Sequence, residues 1–239
     1  MYFRDIIGQD ATIKRLINGV KDNRISHAQL FFSAEGSGAL PIAMAYGRYV
    51  HCTNRNENDS CGTCPSCQKH DKLVHPDLHL VYPIALSKEL RVSTKVIKEF
   101  REAFLENPYL TLNEWFLKIE GENKQPVIAV DESAEILKKL SLTTFEAEYK
   151  IMIIWMAEKM NAQAANKALK ILEEPPDKTL FLLVTENEDQ LLRTIVSRTQ
   201  LVKIPRITDD KLKEALIKLH GLTEEIAAGI VFQVDGNYS

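Results

Sequence analysis

Short apolar runs alternate along the chain with longer stretches in which apolar residues recur every three or four positions. Residues 30–33, 78–82, 127–130, 151–155, 180–185 and 201–204 are short, largely apolar runs with apolar residues on both faces, as strands covered on both sides are. Between them, helical periodicity runs over 12–21, 40–50, 132–140, 162–174 and 188–194. The fourth helix is the best delimited. Asn161 stands at its N-cap, Ala165, Ala168, Leu169 and Leu172 share one face, and Pro175-Pro176 stops it. Strand alternating with helix predicts an α/β fold with a largely parallel sheet.

Past residue 204 the strand pattern ends and helical periodicity takes over at 209–219 and 223–233. This shift predicts a main domain over 1–205 and a small helical unit over 206–239. Residues 87–125 are charged and irregular, with one helical segment near 94–105, and read as an insertion on the main domain. The sequence shows no internal repeat and no low-complexity tract.

Composition narrows the class. The 239 residues are 45% hydrophobic and 26% charged, which is ordinary for a soluble globular protein. The apolar run 151–156 is far short of the roughly 20 residues that span a bilayer. The opening MYFRDIIGQD lacks the basic-then-apolar order of a secretory signal, so a cytoplasmic location is expected. With 30 Lys+Arg against 33 Asp+Glu, the net charge of −3 argues against stand-alone, non-specific nucleic-acid binding.

All the cysteines fall close together: Cys52, Cys61, Cys64 and Cys67. Four thiolates complete a tetrahedral zinc shell, and Gly62 and Pro65 suit the tight turns such a shell needs. Four unrelated buried thiols would be scattered instead. The expected ion is structural zinc, with His51, His70 or His75 as side chains able to displace one sulfur.

The segment Ser33-Ala34-Glu35-Gly36-Ser37-Gly38-Ala39-Leu40 lies between a strand and a helix, where phosphate-binding loops belong. The chemistry of such a loop is missing, because Ala39 and Leu40 stand where a lysine and a hydroxyl would meet phosphate and Mg²⁺, and Ser33 replaces the first glycine. Taken alone, the segment is either a vestigial phosphate loop or a plain strand-to-helix turn. A nucleotide hydrolase would also carry an acidic pair at the end of the strand 151–155. That position holds Trp155-Met156, and Glu158, two residues on, is expected to face elsewhere.

Several motifs occur in order: residues 3–9 (FRDIIGQ), 27–31 (HAQLF), the cysteine cluster, 75–79 (HPDLH), 164–170 (AANKALK), 172–176 (LEEPP) and Ser197-Arg198. Together they resemble the delta-prime family of bacterial DNA polymerase III clamp-loader subunits, AAA+ proteins related to the gamma/tau motor subunits. The resemblance covers nearly the whole chain except 87–125. It implies an AAA+ P-loop-type parallel sheet sandwiched by helices, an inserted zinc-binding module at about 51–70 and a small helical lid. Delta-prime members carry degenerate nucleotide motifs, so the substitutions at Ala39, Leu40, Trp155 and Met156 imply that ATP is not hydrolysed here. The family's Ser-Arg-Cys motif lends an arginine finger to a neighbour's ATP, which casts Arg198, with Ser197, in that role; Thr199 replaces the usual cysteine. The implied partners are the gamma/tau motor subunits and the delta subunit, with the sliding clamp and primer-template DNA reached through the complex and no membrane. Family members continue past the lid into a helical collar domain, which the segment ending at 239 is expected to lack.

The HPDLH motif also favours delta-prime, since motor subunits generally lack it. His75 and His79 read as poor metal ligands, one at a proline turn and the other alternating into a strand. Two other functions compete with the family reading. One is an active ATPase using the backbone of Gly36–Gly38 and a displaced carboxylate such as Glu158. The other is a zinc-dependent DNA-binding module gripping DNA through Arg48, Arg55, Lys69 and Lys72.

Overall fold

A computed structural model describes residues 1–141 and 143–239. The elements in chain order are α1 (Asp10–Lys21), β1 (Ala28–Phe32), α2 (Ala39–His51), α3 (Pro65–Asp71), β2 (Leu78–Val81), β3 (Ile84–Ala85), α4 (Ile97–Glu106), α5 (Leu112–Lys118), β4 (Pro126–Val127), α6 (Val130–Ser141), β5 (Lys150–Trp155), α7 (Ala162–Glu173), β6 (Thr179–Thr185), α8 (Arg193–Val196), β7 (Gln200–Lys203), α9 (Asp209–His220) and α10 (Glu224–Val234). Five strands form one parallel sheet in the order β2-β5-β6-β1-β7. The register sets Leu30 opposite Leu183 and Ile151 opposite Leu180.

Alternation along each strand feeds two cores. Ile151, Ile153 and Trp155 of β5, with Leu180, Leu182 and Val184 of β6, pack in one core with α2, α4 and α5 residues. Met152 and Ile154, with Phe181 and Leu183, enter the other with residues of α6 and α7. Every position of β5 and β6 is buried, which explains why these runs read as continuously apolar. The helix α2 is buried along its whole length, and α7 begins at Asn161, whose side chain accepts the Ala164 N–H at 2.8 Å.

Three stretches differ from the sequence expectation. Of the run 127–130, only Val127 is in a strand. Pro126–Val127 pairs antiparallel with Ile84–Ala85 outside the main sheet, and Ile128 makes a lone bridge to Met160. Val130 already begins α6, whose first turn holds Asp131 and Glu132, carboxylates that favour a helix N-terminus. The segment 188–194 is not one helix. A 3₁₀ turn, Glu188–Gln190, is followed by extended backbone at Leu191 and Leu192 before α8, because Leu191 is drawn into the second core.

The third difference is the stretch 87–125. Rather than lying on the main domain as an irregular insertion, it contributes Phe100, Phe104, Trp115 and Phe116 to the first core. Tyr82 stacks on Phe100 with centroids 4.0 Å apart, Trp115 meets both edge-on, and its indole N–H donates to Pro83 O at 2.7 Å. Thr111 and Glu114 close a capping box at the start of α5. Beyond the sheet, α9 and α10 pack together, with Leu212, Ala215 and Val231 in a small core that also holds Ile7, Ile207 and Tyr109.

Candidate functional site: a filled phosphate loop and a cysteine cluster

The loop 33–38 leaves the C-terminal end of β1, between β6 and β7 in the sheet. Open parallel sheets bind ligands at such ends, where the strand order reverses. Gly36 and Gly38 adopt positive φ, 69° and 95°, a conformation glycine reaches without strain, and Gly38 caps α2. Gln9 ties the loop down, donating to Ser37 O at 3.2 Å and to Pro205 O at 2.8 Å. The backbone is therefore built like a phosphate loop, and its side chains are not. Pro41, in the first turn of α2, removes one of the N–H groups that would face an anion.

The cup itself is occupied by the protein. Tyr109 rests against the loop, so that a Cβ on Gly38 would stand 3.2 Å from its ring. Its hydroxyl accepts the Ile7 N–H at 2.9 Å, and its ring meets Tyr238 edge-on at 4.8 Å. Tyr238 N–H in turn donates to Gly36 O at 3.2 Å. What remains between Ser33, Gly36, Leu40, Tyr109, Trp155 and Glu186 is a cavity of about 20 Å³, room for a water and far below the roughly 300 Å³ of small ligand pockets. Trp155 and Met156, at the positions where an acidic pair would hold Mg²⁺, are 2% and 1% exposed and belong to the first core.

Charge works against phosphate as well. Glu158 does not face away as the sequence suggested. It turns back on the end of β6, where Oε2 accepts the Thr185 hydroxyl at 2.7 Å and Oε1 the Glu186 N–H at 3.3 Å. Burial, then the Glu35 and Glu158 carboxylates, push the Glu186 carboxyl up to about 7. Glu158, the carboxylate of the displaced-carboxylate reading, is thus engaged at the end of β6 through both of its oxygens.

Ser197 and Arg198 follow α8 on the surface. The Ser197 hydroxyl donates to Thr194 O at 3.1 Å. Arg198 is 37% exposed, donates to Thr194 O at 3.1 Å and pairs with Glu173 Oε1 at 2.6 Å. The guanidinium is thus oriented by the last residue of α7 and still reachable from outside.

The four cysteines meet between α2 and α3. All are free thiols, and their sulfurs lie within 4.8 Å of one another. Cys52–Cys61 is 3.5 Å, while Cys61–Cys67 and Cys64–Cys52 are 4.0 Å. Sulfurs on a zinc ion at about 2.3 Å stand ~3.8 Å apart in a tetrahedron. Backbone N–H groups of Cys61, Cys64 and Cys67 point at Sγ of Cys52, Cys61 and Cys64, the polarity that thiolates require. Against the upward push of burial, such donors lower the Cys61 and Cys64 thiols. The residues fit a four-thiolate zinc site. Gly62 (φ 80°) lets the loop touch Tyr2, and the Asp59 carboxylate accepts N–H groups of Phe3 and Arg4, anchoring the cysteine loop to the amino terminus.

The cations proposed to grip DNA beside the cysteines are engaged internally. Arg48 is 1% exposed, stacks 3.7 Å from the Tyr2 ring centroid, pairs with Asp71 at 2.5 Å and donates to Ser60 Oγ. Arg55 donates to the carbonyls of Tyr49 and Val50 at the end of α2, and Lys69 pairs with Glu146. Of these three, Arg48 is withdrawn from the surface, while Arg55 stays exposed and Lys69 half-buried. Sequence reasoning missed another assembly: His51, His70 and His75 are buried together against the same helices. His79 instead lies in β2 opposite Met152. No helix among the described residues is long and apolar enough to cross a membrane.

The chain is similar to known proteins along most of its length. A family model described as DNA polymerase III, delta subunit, matches residues 8–208. The DNA polymerase III subunit delta' of Bacillus subtilis is 30% identical over 216 residues, which cover 89% of this chain and 53% of that protein. The gamma subunit of Buchnera aphidicola is 27% identical over 221 residues, covering 91% and 50%. The chain spans about half the length of these relatives. Among solved structures, a DNA polymerase III gamma subunit-related protein of Thermotoga maritima matches with a TM-score of 0.50 at 19% identity, over 94% of this chain and 57% of that one. The RuvB Holliday junction branch migration motor of the same organism matches with 0.50 at 14%, over 97% and 58%; at such identities the likeness concerns the fold, an AAA+-like parallel sheet flanked by helices. Over residues 8–208, this chain belongs to the delta'/gamma/tau family of DNA polymerase III clamp-loader subunits, proteins of DNA replication.

Proposed function

We propose that this chain is a delta-prime-type clamp-loader subunit that does not hydrolyse ATP and acts on a neighbour's. The observation that carries the reading is the filled cup of the phosphate loop. A nucleotide would have to displace Tyr109 and Tyr238, meet three carboxylates, and find Ala39, Leu40, Trp155 and Met156 where the reaction needs a lysine, a hydroxyl and a metal-binding pair. A subunit with this interior contributes through its surface. Arg198 is the group so placed, exposed beyond α8 and oriented by Glu173.

In this reading Arg198 reaches the ATP held by an adjoining gamma/tau motor subunit, where a guanidinium stabilises the charge that grows on the transferring phosphoryl group, an effect of ~10³ to 10⁵ in rate in other systems. Ser197 holds the turn that presents it. The cysteine module at about 51–70 carries structural zinc, which would fix the loop between α2 and α3 through Cys52, Cys61, Cys64 and Cys67. Residues 206–239 form the helical lid against a main domain over 1–205. The partners are the motor subunits and the delta subunit, with the sliding clamp and primer-template DNA met through the assembly in the cytoplasm.

The test is Arg198→Ala in the reconstituted complex. DNA-stimulated ATPase should fall at least tenfold while assembly and the variant's thermal unfolding stay as in the parent, since an exposed ion pair contributes little to stability. Unchanged ATPase in a fully assembled complex would refute the finger role, and turnover by the isolated chain would refute the non-hydrolysing one.

A further inference from the structure

Three buried histidines converge beside the cysteine cluster without sharing any residue with it. His51 ends α2, His70 lies in α3, and His75 opens the proline turn before β2. Their ring centroids are 4.2 Å (His51–His75), 4.9 Å (His70–His75) and 5.1 Å (His51–His70) apart. One ring nitrogen of each lies within 4.8 Å of those of the other two.

The hydrogen bonds show which nitrogens are free to act. His51 Nε2 stands 2.9 Å from Tyr149 O, so that nitrogen carries the proton and Nδ1 presents a lone pair. That lone pair faces His70 Nε2 at 3.0 Å. His75 Nε2 is fully buried and faces Glu146 Oε1 at 3.1 Å, while its Nδ1 accepts the Asp77 N–H at 3.2 Å. A carbonyl that orients a histidine through its second nitrogen is the usual support of a metal-binding imidazole.

We propose that His51 Nδ1, His70 Nε2 and His75 Nε2, with the Glu146 carboxylate as fourth ligand, bind a divalent ion of the zinc class at a site separate from the four cysteines. Three imidazoles and one carboxylate suit such a borderline ion. Binding requires no net loss of protons. His70 and His75 each move the ring proton from Nε2 to Nδ1, His75 giving up the 3.2 Å contact from the Asp77 N–H, and Lys69 leaves Glu146. Arg48 and the amino terminus add positive charge near His70, which Asp71 offsets at Arg48. The ion would pin the ends of α2 and α3 to the Glu146 loop, bracing the cysteine module from its buried side.

The test is metal content of the intact chain after saturation with Zn²⁺ and removal of loosely held ion, followed by cobalt substitution. Two ions per chain are expected. His70→Leu should hold one and keep the thiolate-to-cobalt absorption of the cysteine site, whereas Cys64→Ser should lose that absorption and keep the other ion. Glu146→Gln, at a partly exposed position, should weaken the second ion at least tenfold without threatening the fold. In the wild-type chain, ¹⁵N spectra of the imidazoles should shift on adding the second equivalent. Saturation at a single ion that disappears with Cys64→Ser, a second ion that survives His70→Leu, or unshifted imidazoles would overturn the proposal.

Discussion

Replacing Glu186 with glutamine tests the electrostatics that close the phosphate loop. Glu186 is partly buried at the end of β6, and burial, then Glu35 and Glu158, raise its carboxyl from 4.5 to about 7, with Lys159 acting in the opposite sense. The folded protein therefore holds this proton more tightly than the unfolded chain. Below about pH 4.5 both forms are protonated and the contribution to stability is fully present. Between about 4.5 and 7 the unfolded carboxyl ionises first and stability declines, and above about 7 the loss is complete. A change of this size corresponds to about 3 kcal/mol at most, and partial exposure reduces it to ~1–3 kcal/mol. Glu186→Gln keeps the shape and removes the ionisation. Urea unfolding at several pH values from 5 to 8.5 should show the variant gaining on the parent as pH rises, by ~1–3 kcal/mol at the alkaline end. A difference that stays constant across that range would refute the repulsion argued here.

Two further substitutions probe what holds the loop and its neighbours in place. Trp115→Ala removes a fully buried indole, its bond to Pro83 O and its edge contacts with Tyr82 and Phe100. It should cost about 3–5 kcal/mol in urea unfolding, and a loss below 1 kcal/mol would mean that α4 and α5 are a detachable appendage after all. Asp77 accepts the N–H groups of Phe145, Glu146 and Ala147, donors that, against the upward push of burial, hold its carboxyl below the ordinary range. That stability is present above the unfolded pKa and is lost as pH falls through the folded one. Asp77→Asn should therefore cost ~2–3 kcal/mol at pH 7 and progressively less in acid, as equilibrium unfolding across pH 3–7 would report.

Much of the architecture follows from local pattern. Doubly buried strands leave continuous apolar runs, and α7 is bracketed by Asn161 and Pro175-Pro176, so β5, β6 and α7 were legible within a residue or two. The four-cysteine spacing and the missing lysine of the phosphate loop were legible for the same reason, because both are short-range chemistry. The run 127–130 misled because a few apolar residues carry no record of which strand, if any, will pair with them.

By itself, then, the sequence determined the alternating parallel fold, the family, the cysteine cluster and the apolar residues at 39, 40, 155 and 156. Only the tertiary structure decided what occupies the space left behind. Tyr109 lies some seventy residues beyond the loop it fills, and Glu158 bends back to β6. Arg48 is withdrawn beneath Tyr2, and His51, His70 and His75 converge from three elements. The physical reason is common to all four: a residue's own neighbours in the chain set its backbone preference, whereas its burial, charge environment and partners depend on contacts that close only when distant segments pack.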